Sequence, residues 1–99
     1  MSNEKFIPLS VPNIAGNEWK YVKECLDTGW ISSVGDYVTQ FEQLVASFAG
    51  IKYGVAAVNG TAALHIALLL TGVKQDDYVI LPNLTFVASA NAIKYLGAD

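Results

Sequence analysis

Ninety-nine residues, 53% hydrophobic and 15% charged, are enough for one small domain with a core. Arginine is absent, and the six lysines (Lys5, Lys20, Lys23, Lys52, Lys74 and Lys94) are scattered through a chain of formal charge -3, which excludes the clustered cations of a nucleic-acid reader. No apolar run approaches the ~18 residues of a membrane span, and Met1–Lys5 lacks the cationic-then-apolar order of a signal peptide, so a soluble cytoplasmic protein is expected.

Chemistry that depends on sulfur or metal is also thin. One cysteine, Cys25, allows no internal disulfide, and with His65 as the one histidine there is no zinc-type ligand set. Cys25 reads as an apolar face residue of a helix and His65 as a core histidine.

In chain order, Trp19, Val22, Cys25 and Leu26 recur at spacings of three and four, which predicts a helix over 17–27 stopped by Gly29. After the loop Gly29–Gly35, Val38, Phe41, Leu44, Val45 and Phe48 repeat the pattern, with Asp36 as a cap and Gly50 as terminator. Tyr53–Val58 then reads as a strand buried on both faces. A third helix, Thr61–Thr71, is apolar nearly all round and ends at Gly72, so it calls for cover beyond what its neighbours supply. A second strand, Tyr78–Leu81, closes at Pro82, and a fourth helix, Thr85–Tyr95, ends at Gly97.

Strand, helix, strand, helix predicts an α/β layer with parallel strands joined by right-handed crossovers. A third strand is due where Gly97-Ala98-Asp99 ends the sequence, so the chain is expected to be an incomplete piece of a larger domain. Within it, 1–35 reads as an amino-terminal helix with a loop and 36–99 as the start of the sheet region.

The most informative stretch is Val55-Ala56-Ala57-Val58-Asn59-Gly60-Thr61-Ala62-Ala63-Leu64-His65. A strand that turns through Asn59-Gly60 into a helix presents free backbone N–H groups and the Thr61 hydroxyl at a positive helix end, an arrangement suited to phosphate. Gly60 permits close approach of an anion. The same turn is also what an ordinary capped helix start requires. It is neither a Walker A loop nor a Rossmann fingerprint.

Four motifs in order, Trp30-Ile31-Ser32-Ser33, Val38-x-x-Phe41-Glu42, Asn59 to His65, and Leu81-Pro82-x-x-Thr85-Phe86-Val87-Ala88, resemble the DegT/DnrJ/EryC1/StrS sugar aminotransferases. The resemblance runs from about Pro8 to Asp99. It implies the amino-terminal part of the large cofactor-binding domain of a fold type I aminotransferase, ordered helix-helix-strand-helix-strand-helix on a parallel sheet. It also implies pyridoxal 5'-phosphate as cofactor, with Gly60, Thr61 and Ala62 on its phosphate and Phe86 stacked on its ring. Trp30, Ile31 and Ser32 would border the sugar-nucleotide site, whereas Glu42 reads as a solvated helix residue. The 1–35 segment would then carry the substrate-side loop.

By the same resemblance the parent enzyme is a homodimer that moves an amino group from an amino acid, glutamate by expectation, to a nucleotide-linked 4-keto sugar in cell-surface polysaccharide biosynthesis. The run Ile31-Ser32-Ser33-Val34-Gly35 suggests the legionaminic-acid or bacillosamine branch. The lysine that holds the cofactor and its acidic partner fall beyond Asp99, since Lys52, Lys74 and Lys94 match no such motif and read as solvent-facing. No catalytic residue is therefore expected within these 99, and the piece alone is expected to be inactive. A sugar 3-dehydratase of the same fold, or a complete small α/β phosphate-binding module, remains open at this stage.

Overall fold

The computed structural model describes residues 6–99, so Lys5 and the absence of a leader pattern at Met1–Lys5 lie outside the described residues. The chain divides into two compact units, Met1–Asp36 and Tyr37–Asp99.

In the first unit, helix α1 spans Glu18–Thr28. Its acidic start suits the positive helix end, and the Glu18 carboxylate accepts from the N–H of Gly16 at 2.9 Å. Lys23 and Asp27 form an exposed ion pair one turn apart, an arrangement that contributes little. Gly29 ends the helix in the left-handed region at φ +75°, as the pattern predicted. The apolar side of α1 nevertheless stays open: Trp19, Val22 and Leu26 are exposed, and Cys25 is a half-buried free thiol.

Helix α2 spans Asp36–Ala49. Asp36 lies inside its first turn rather than ahead of it, so it acts on the helix dipole rather than as the expected cap. Gly50 at φ +67° stops the helix, and the N–H of Ile51 reaches back to the carbonyl of Ala46 at 3.0 Å, which satisfies a carbonyl the helix leaves open. Helix α3 spans Gly60–Leu70 with Asn59 as its amino-terminal cap. At its other end Val73 N–H donates to the Leu68 carbonyl at 3.1 Å, with Gly72 at φ +88°.

Helix α4 spans Val87–Lys94, shorter than the predicted Thr85–Tyr95 because Phe86 is extended at ψ 139° and caps the helix from outside. Helices α3 and α4 pack on each other. Ala92 is fully buried, Ile93 nearly so, and His65 meets Tyr95 edge to face at 5.9 Å, with its Nδ1 3.5 Å from the Ala92 carbonyl. His65 is thus a half-buried joint between helices rather than a deep core residue.

The two expected strands, Tyr53–Val58 and Tyr78–Leu81, are not formed among the described residues. A strand is defined by its ladder; Tyr53–Val58 has no backbone-to-backbone partner, and Tyr78–Leu81 has a single rung at its start. Both keep the alternation of strands: Gly54 and Ala56 are half-buried between exposed Tyr53, Val55 and Ala57, and Asp77 and Val79 are half-buried on either side of exposed Tyr78. One parallel rung is present. Asp99 N–H donates to the Asp77 carbonyl at 2.8 Å and Val79 N–H donates to the Asp99 carbonyl at 2.7 Å, which sets Tyr78 opposite Asp99 in parallel register.

Among the described residues the buried apolar ones are Ala46, Ala92, Ile93 and Ala98. No residue of α3 is buried, in keeping with a helix whose apolar circumference calls for more cover. Among the described residues no helix is long and apolar enough to cross a membrane, and no cluster of side chains is suited to hold a metal ion.

Candidate functional site

The head of α3 is built by Asn59. Its backbone is extended, at φ -163° and ψ 172°, and its side-chain oxygen accepts from the N–H of Ala62 at 2.9 Å, while its carbonyl accepts from Ala63 N–H at 3.1 Å. The Ala63 bond is the first of the helix itself, whereas the Ala62 bond takes one of the donors that a helix start leaves unpaired. Those of Gly60 and Thr61 are left, because one turn back lies extended chain rather than helix. Replacing Asn59 with alanine is expected to cost about 1 kcal/mol of stability, read by urea denaturation of the full-length enzyme. A cost near zero would mean that the cap is dispensable.

Three features make this end receptive to a phosphate. The free donors face the positive end of an 11-residue helix, and no acidic residue stands in its first turn to compete. A Cβ built on Gly60 meets no atom within 4 Å, so the space above the backbone is open. Of the three positions expected on the phosphate, Gly60 and Thr61 keep their N–H groups available, whereas Ala62 has its N–H engaged by Asn59.

Phe86 stands at the head of α4 and is 79% exposed, with its ring free to present a face. No hydrogen bond or ring contact joins it to Gly60–Ala62 among the described residues; what links them is that α3 and α4 pack together. Trp30, Ile31 and Ser32 lie in the loop of the first unit. There the Ile31 N–H donates to the Gly29 carbonyl at 3.1 Å, and the exposed Trp30 ring passes beside Gly35, whose added Cβ would lie 3.8 Å from it.

Lys52, Lys74 and Lys94 are exposed, as expected. Lys52 lies over the Tyr53 ring at 5.0 Å, Lys94 pairs with Asp99, and the Lys74 backbone N–H donates to the Asp77 carboxylate at 2.9 Å. Glu42 departs from expectation. Rather than a solvated residue, it is half-buried, and its Oε1 accepts from the Ala56 N–H at 2.8 Å. The sequence carries half of this signal: Val38, Glu42 and Ala46 share one helical stripe at i, i+4 spacing, the stripe on which Ala46 is buried, but nothing local names Ala56 as the partner.

The family model of the DegT/DnrJ/EryC1/StrS aminotransferases matches residues 12–99. The chain belongs to this family. GDP-perosamine synthase of Caulobacter vibrioides is 48% identical over 98 residues, 99% of this chain and 26% of that protein. GDP-perosamine synthase of Escherichia coli O157:H7 is 50% identical over 94 residues, 95% of this chain and 26% of that protein. Among solved structures, Spr1654 from Streptococcus pneumoniae, classed with the sugar aminotransferases and solved in its PMP form, superposes with a TM-score of 0.82 at 32% identity. That match covers 94% of this chain and 23% of Spr1654.

The chain thus spans about a quarter of the length of these relatives. The family expected from the four motifs is borne out, and an unrelated small binding module is set aside. The branch read from Ile31–Gly35 is corrected, because the relatives at 48% and 50% identity are named for perosamine rather than for legionaminic acid or bacillosamine.

Proposed function

We propose that this chain supplies the amino-terminal quarter of a pyridoxal-phosphate-dependent aminotransferase of perosamine type. Its substrates would be a nucleotide-linked 4-keto sugar and an amino-acid donor, glutamate by expectation, in polysaccharide biosynthesis. The observation that carries this reading is the open pair of donors, Gly60 and Thr61 N–H, at the head of α3 within the matched family segment. When bound, the cofactor supplies the electron sink for amino transfer.

The residues here would bind and orient. Gly60, Thr61 and the turn around Ala62 receive the phosphate, Phe86 offers a flat apolar face to the pyridine ring, and Trp30, Ile31 and Ser32 border the sugar nucleotide. The lysine that holds the cofactor, with its acidic partner, belongs to sequence outside these 99 residues. The working enzyme is a cytoplasmic homodimer in this reading, without nucleic-acid or membrane partners.

A chimera tests the substrate assignment. This chain, placed ahead of the remaining three quarters of the Escherichia coli O157:H7 perosamine synthase, is expected to form GDP-perosamine. A folded, cofactor-loaded chimera that yields no amino sugar would remove the assignment. In the same enzyme Gly60→Ala is expected to weaken pyridoxal phosphate binding about tenfold or more by filling the cradle. Its melting temperature should hold, because the added methyl meets no protein atom and alanine favours helix by up to ~1 kcal/mol. Unchanged affinity would move the phosphate elsewhere.

A further inference from the structure

The segment that delivers the chain to the candidate cradle has almost nothing to hold it in place except α2. Among the described residues no backbone-to-backbone hydrogen bond is made by residues 53–58, so the run into Asn59 is fixed by side-chain and packing contacts. Two of these come from one residue. The Oε1 of Glu42 accepts from Ala56 N–H at 2.8 Å, and the Glu42 backbone carbonyl lies so close to Gly54 that an added Cβ there would sit 2.7 Å from it. Gly54 and Ala56 are two apart in extended chain and therefore share a face, the half-buried one, so Glu42 grips that face at consecutive positions. Ala46, one turn further along α2 and buried, completes the contact at 3.6 Å from the same built Cβ.

We propose that Glu42 is a positioning residue for the phosphate cradle: by holding Ala56 through its side chain it sets where the turn Asn59-Gly60-Thr61 places its free N–H groups. The proposal rests on the assignment of Gly60–Ala62 to the cofactor's phosphate. Two residues, Ala57 and Val58, lie between Ala56 and Asn59, a span of at most ~10 Å, so a small shift at Ala56 displaces the donors at the head of α3. The two N–H groups hold phosphate only when they converge on one oxygen cluster, and a displacement of ~1 Å is enough to lengthen a hydrogen bond beyond usefulness. The required group is an acceptor at the Oε1 position, not a negative charge as such.

The test uses the full-length enzyme containing these residues, as apoenzyme titrated with pyridoxal phosphate and, separately, with phosphate-free pyridoxal. The unaltered enzyme is expected to bind the phosphorylated form far more tightly. Glu42→Ala is expected to lose on the order of tenfold in affinity for pyridoxal phosphate while its affinity for pyridoxal is unchanged. Glu42→Gln, whose amide oxygen can still accept from Ala56, should recover most of that loss. If Glu42→Ala keeps the preference for the phosphorylated form, or loses both ligands equally, or if glutamine gives no rescue, Glu42 merely supports the fold and the proposal is overturned. If the unaltered enzyme itself binds the two forms alike, the assignment of the cradle fails first and the role of Glu42 falls with it.

Discussion

Gly54→Val is expected to lower the stability of the Tyr37–Asp99 unit by about 3 kcal/mol or more, at the upper end of what overpacking costs. A β carbon at Gly54 lies 2.7 Å from the backbone carbonyl of Glu42 and 3.4 Å from its carbonyl carbon. Backbone cannot swing aside as the tip of a long side chain can, so α2 must lift from the extended segment as a whole. Thermal melts of the full-length enzyme read the effect. Gly60→Ala provides the control, a glycine replaced where no atom stands within 4 Å. Equal melting temperatures for Gly54→Val and the unaltered enzyme would show that α2 does not rest on this segment.

The second large effect concerns the chain by itself. Separated from any further sequence, the 99 residues are expected to give no transamination and no absorbance band of lysine-bound cofactor. They are also expected to bind a hydrophobic dye and to melt without a cooperative transition. The apolar residues buried among those described are three alanines and Ile93, while Phe41, Phe48, Leu69, Leu70, Ile80 and Leu84 are exposed. Each large apolar side chain left in water forgoes ~1.5–3 kcal/mol, so a few of them outweigh the ~5–15 kcal/mol by which folded domains are stable. A sharp melt without dye binding would overturn the expectation for stability. Turnover dependent on Lys52, Lys74 or Lys94 would overturn the one for activity.

Why the helices were legible and the strands were not has a physical explanation. Phe41, Leu44, Val45 and Phe48 announce α2 because a helix closes its own hydrogen bonds within the segment, and the left-handed glycines at 29, 50, 72 and 97 mark ends that depend on local backbone alone. Tyr53–Val58 and Tyr78–Leu81 have strand composition and alternation, but a ladder needs a second segment, and composition does not say whether that segment is present. Phe86 shows how a boundary can be misplaced. Apolar spacing counted it inside a helix, yet its extended backbone makes it the cap, which also leaves its ring outside the packed turn.

The candidate site divided in the same way. The turn Asn59-Gly60-Thr61 was readable because its properties come from three consecutive residues and a helix end. The contribution of Glu42 was not, because it depends on a partner 14 positions away, and a carboxylate on a helix is solvated far more often than it is spent on another segment's N–H.

The single rung between Tyr78 and Asp99 fixes more than a contact. Paired residues in a parallel ladder point to the same side, and here that side is the exposed one; Ala98, like Asp77 and Val79, points the other way and is fully buried. Any polypeptide continuing from Asp99 along this rung inherits that parity, with even-numbered positions directed inward and odd-numbered ones outward. A shift of one residue would exchange the two sets, so the side on which an apolar residue is buried along this rung is already fixed by Ala98 and Asp99.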